Sequence, residues 1–161
     1  MTDNGNILLE GTYLYFQGET NYSQENFKLI HFSDLQQFHL FAEMLARVET
    51  GEFLKILVRY EMNHHYTPFM VRIEKNLGTK WSTETFKVDS VEQELAYKFE
   101  AADGTHESKR PVNAKHHLTT PAFSTSTFFT MNKKFDQTGR TPIIFLSTEN
   151  EWTFSDGPQE K

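Results

Sequence analysis

Residues 38–62 read FHLFAEMLARVETGEFLKILVRYEM. In the second half of this stretch Leu54, Ile56, Val58, Tyr60 and Met62 are all apolar. Between them stand Lys55, Arg59 and Glu61, with Leu57 as the exception, and Asn63 continues the polar set. A period of two marks a strand with one buried face, because successive side chains point to opposite sides of a sheet. The first half fits two templates. As a strand it puts Phe38, Leu40, Ala42, Met44, Ala46 and Val48 on one face. As a helix over 33–49 it makes a stripe of Leu35, Phe38, Phe41, Ala42, Leu45 and Val48, capped by Ser33 and Gln36 and stopped at Gly51. Residue propensities favour the helix.

Turn geometry favours the strand. A three-residue loop of Glu49, Thr50 and Gly51, with glycine in the left-handed position, closes a hairpin with a bulge. That register pairs Ala46 with Leu54, Met44 with Ile56, Ala42 with Val58 and Leu40 with Tyr60, so both alternations share one apolar face. It also sets His39 opposite Glu61, a compatible polar pair. The helix explains neither coincidence.

Outward from this hairpin the pattern repeats. Residues 63–68 form a turn, and Phe69, Val71 and Ile73 alternate with Met70, Arg72 and Glu74. A turn at 76–78 leads to a Thr-rich, aromatic strand over 81–88. Leu95, Tyr97, Phe99 and Ala101 continue the alternation, and Asp103-Gly104 signals a further hairpin. The returning strand is expected over 106–118, with Pro111 placing it at an edge or bulge. Later stretches are a Thr- and Phe-rich run at 123–131, a polar turn at 136–139, a buried strand at 143–146, and Trp152 and Phe154. The expectation is therefore an all-β domain spanning 1–161, an antiparallel meander curled into a barrel or half-barrel. The pattern stops soon after Trp152 with no closing element, which suits a domain truncated on its C-terminal side.

Composition narrows the function classes. The 161 residues carry a formal net charge of −6 and no cysteine. Thiol chemistry and thiolate metal sites are thereby excluded. Nucleic-acid binding, which needs clustered Lys and Arg, is not expected. The start of the chain shows no signal-peptide pattern, and no apolar run approaches a bilayer's thickness, so a cytoplasmic chain without a membrane span is expected. No phosphate-cradling, dinucleotide-binding or nucleophile-elbow motif is present. The pairs His64-His65 and His116-His117 point each partner to opposite faces if on strands, so no metal site is expected, and no cofactor. His39, Arg59 and Glu61 form the one polar cluster that the register creates.

The 15 Phe, six Tyr and two Trp suit a sheet core or an aromatic-lined cavity. Tyr60, Met62, Phe69, Trp81 and Phe99 are the candidate cavity wall. At fold level the pattern resembles lipocalin-like barrels and open half-barrels, although Gly11 is followed by Thr12 and Tyr13 rather than the lipocalin Gly-x-Trp. The Phe content, the curling expected of a long antiparallel meander and the lack of a catalytic motif point to non-enzymatic binding of a small apolar, lipid-like molecule in a concave face. The alternatives are an isomerase or hydrolase using a polar cluster, or an interaction module. An apolar outer face of Phe41, Leu45, Phe53 and Leu57 would suit the last, as a homo-oligomer contact.

Overall fold

The computed structural model describes residues 5–112, 116–128, 144–147 and 159–160. Eight strands follow one another in sequence and in space: β1 Asn6–Gln17, β2 Thr20–Phe32, β3 Gln37–Arg47, β4 Phe53–Asn63, β5 Pro68–Leu77, β6 Lys80–Asp89, β7 Glu94–Ala101 and β8 Gly104–Pro111. They form a single antiparallel meander in the order β1 to β8. Three short strands, β9 His116–Leu118, β10 Ile144–Ser147 and β11 Gln159–Glu160, make a second sheet in which β9 and β10 run parallel. The all-β antiparallel expectation holds.

Residues 33–49 are not helical. Gln36 N–H bonds back to Ser33 O at 3.2 Å, closing a turn where the helix cap would stand, and β3 follows. The local preference for helix loses to pairing on both sides, since β3 lies between β2 and β4. The β3–β4 register is the expected one, with Ala46 opposite Leu54, Ala42 opposite Val58 and His39 opposite Glu61. Gly51 sits at φ +87, and its N–H reaches Val48 O at 2.9 Å, as a bulged three-residue loop requires.

The strand expected over 106–118 divides. β8 ends at Pro111, which cannot donate to a ladder, and Val112 N–H turns to Gln93 O instead. His116–Leu118 then belongs to the second sheet. Pro111 is on an edge strand, as anticipated. The start of the 123–131 run is a short 3₁₀ turn, Phe123–Thr125. Residues 129–131 and 136–139, Trp152 and Phe154 lie outside the described residues.

The large sheet is not closed into a barrel: β1 and β8 do not pair. Its core face carries Leu40, Ala42, Val58, Tyr60, Met62, Val71, Ile73, Phe86, Tyr97 and Phe99. That face is covered by the chain's own later residues, among them Leu118, Ala122 and Phe128, which join the same apolar cluster. The open edge of β1 is apolar, with Ile7, Leu8, Leu9, Leu14 and Phe16 all exposed. Edges of this kind are ready to pair with another strand. Among the described residues no helix is long and apolar enough to cross a membrane.

Candidate functional site

The five residues singled out as a cavity wall fall in three places. Tyr60, Met62 and Phe99 are fully buried on the core face. Phe69 is half-buried where the β4–β5 register shifts, beside a small cavity of about 120 Å³ shared with His116. Trp81 points to the other side of β6 and is exposed. The sheet therefore brings three of the five together and separates the other two from them.

Tyr60 is engaged by the covering segment. Its hydroxyl donates to Leu118 O at 3.0 Å and lies 3.3 Å from His117 Nδ1, while Phe128 stacks on its ring. Burial pushes the Tyr60 hydroxyl well above its ordinary pKa. The same desolvation lowers His117 to about 4, helped by its neighbour His116. His116 Nε2 lies 2.7 Å from Pro68 O. A second tether is Glu25 on β2, which accepts Phe123 N–H at 2.8 Å, Ser124 N–H at 3.0 Å and the Tyr15 hydroxyl at 2.5 Å. These tethers fasten residues 116–128 across the core face as a strap.

A buried ionisable set also lies on the core face. Glu84 accepts the Tyr97 hydroxyl at 2.8 Å, and Lys75 Nζ is 3.7 Å away. Burial raises the pKa of Glu84, and Lys75 and Tyr97 oppose that shift. Such a set could move protons, but Glu84 is only 1% exposed.

The opposite face holds an open groove of about 730 Å³, a size usual for small-ligand sites. Its lining comes from five adjacent strands, β1 to β5, so this face of the twisted sheet is concave there. Phe41 on β3 and Leu57 on β4 are the apolar floor, and none of the five expected wall residues reaches it. Around the floor stand Lys28, Arg59, Arg72, Glu10, Glu43 and Glu74. Arg59 packs over the Phe41 ring, 5.7 Å from its centroid.

The His39–Arg59–Glu61 cluster forms at one end of this face. Arg59 Nε bonds Glu61 at 2.6 Å. His39 is lowered by desolvation, which outweighs the opposing pull of Glu61, and its Nε2 lies 3.1 Å from Gln37. His64 and His65 are exposed in the β4–β5 turn, apart from buried His116 and His117. Among the described residues no cluster of His, Asp or Glu suits a metal ion.

Sequence reasoning missed the groove because it followed the register through one hairpin only. Extending the pairing from β4 to β5 places Arg72 directly opposite Arg59. The Glu25 and Glu84 contacts had no local signal, since one bonds a residue about a hundred positions away and the other sits among ordinary strand alternation. No protein-family model, curated protein or solved structure matches the chain.

Proposed function

We propose that this protein binds, without catalysing a reaction, a small molecule with an apolar body, held in the groove of its curled sheet. The shape that this reading supposes is an open, lipocalin-like half-barrel. The observation that carries it is the 730 Å³ groove with Phe41 and Leu57 at its floor. Phe41 is an exposed aromatic residue in mid-strand, where a solvated sheet face ordinarily carries polar side chains. The buried ionisable groups support binding over catalysis, since Glu84 is buried on the core face and His117 in the strap that covers it.

Tyr60, Met62 and Phe99 then serve the ligand indirectly. They pack the core that holds β4, β5 and β7 in place, and so fix the curvature of the groove. The experiment is a titration of the native protein with an apolar fluorescent probe. Saturable binding with a dissociation constant around micromolar, about −8 kcal/mol, is expected. Fluorescence that rises without saturating, or only on partial unfolding, contradicts the proposal.

A further inference from the structure

One row of side chains crosses the groove face from strand to strand. Lys28 on β2 pairs with Phe41 on β3, Phe41 with Arg59 on β4, and Arg59 with Arg72 on β5. Residues directly opposite in an antiparallel pair have Cβ atoms about 5 Å apart, and like charges so placed destabilise a sheet. The Arg59–Arg72 pair is thus an electrostatic cost built into the fold.

The nearby carboxylates reduce that cost from the sides. Arg59 bonds Glu61 at 2.6 Å and Arg72 bonds Glu74 at 2.7 Å, each two residues along its own strand. Both bonds use Nε–H, one of the five donors on each guanidinium. Glu43 is held by Lys55 at 2.7 Å, and Glu10 lies opposite Lys28. The rim carboxylates therefore already have cationic neighbours. The two arginines, about half exposed, remain neighbours on the groove face, each guanidinium drawn along its own strand toward its carboxylate.

We infer that the ligand of this groove carries an oxyanion head, a carboxylate or a phosphate, held between Arg59 and Arg72. Its apolar body lies over Phe41 and Leu57, toward Lys28. An oxyanion there converts a like-charge contact into two charge-assisted hydrogen-bonding partners, and the guanidinium fork suits both head groups. The inference rests on the groove reading above and adds the head-group chemistry to it.

The test uses a dansyl-labelled undecanoic acid, its methyl ester, and a monoalkyl phosphate of the same chain length as competitor, all with the full chain. The acid should bind at least about tenfold tighter than the ester, and the phosphate should displace it. Arg72→Met should bring the acid down to the affinity of the ester, with Arg72→Lys between the two. Melting curves of each variant report whether the fold is kept. Equal affinity for acid and ester overturns the head-group inference and leaves the groove reading standing. Binding of neither probe overturns both. An acid preference that survives in both Arg72→Met and Arg59→Met, with folding intact, places the anion elsewhere and overturns the assignment.

Discussion

At the scale of single residues, burial against the core face shifts the proton affinity of the groups it encloses. His117 is held to about 4, against an ordinary value of 6.5, because burial penalises its cation. Below pH 6.5 the unfolded chain takes up a proton that the folded chain refuses until about pH 4. Stability attributable to this histidine is therefore complete above pH 6.5 and is lost as pH falls through that window, on the order of 3 kcal/mol in all. Glu84 acts in the opposite sense. Its raised pKa lets the folded chain bind the proton first, so its contribution weakens as pH rises above the ordinary carboxylate range. Urea midpoints measured from pH 7 to pH 4 should fall for the native chain, and fall less for His117→Asn. Parallel curves for the two proteins would show that another group drives the acid sensitivity.

At the scale of elements, the strap and the hairpins were legible to different degrees. The β3–β4 hairpin could be read down to its register because a loop signal at Gly51 and two apolar alternations agreed. The outer strands were harder. β1 exposes Ile7, Leu14 and Phe16, so no clean alternation marks which of its faces is buried. The strap has no period at all, and its hold comes from long-range bonds to Glu25 and Tyr60 that sequence spacing cannot show. Glu25→Gln tests the first of these tethers. The amide keeps the shape but loses the charge and one accepting atom, so at least one buried donor is left poorly satisfied. A loss of about 1–3 kcal/mol is expected. Hydrogen exchange should quicken in residues 116–128 before it quickens in β3–β5. Unchanged protection of that segment would mean that Glu25 is not what fastens it.

At the scale of the whole molecule, one sheet presents two unlike faces. The core face is closed by the chain's own strap, and the groove face is left open over five strands. A reading that followed apolar content alone chose Tyr60, Met62 and Phe99 as cavity wall, because sequence shows which residues share a face but not what covers it. The other face was read as an apolar contact surface of Phe41, Leu45, Phe53 and Leu57, and two of these, Phe41 and Leu57, line the groove. The account stands or falls on which face takes the ligand, and methyl and amide NMR shifts on saturation with the dansyl probe report this most directly. Shifts centred on Leu57, Glu43 and Asn26, with Met62 and Leu118 unmoved, are the predicted result. Shifts at Met62 and Leu118, together with loss of strap protection, would put the ligand on the core face and contradict it.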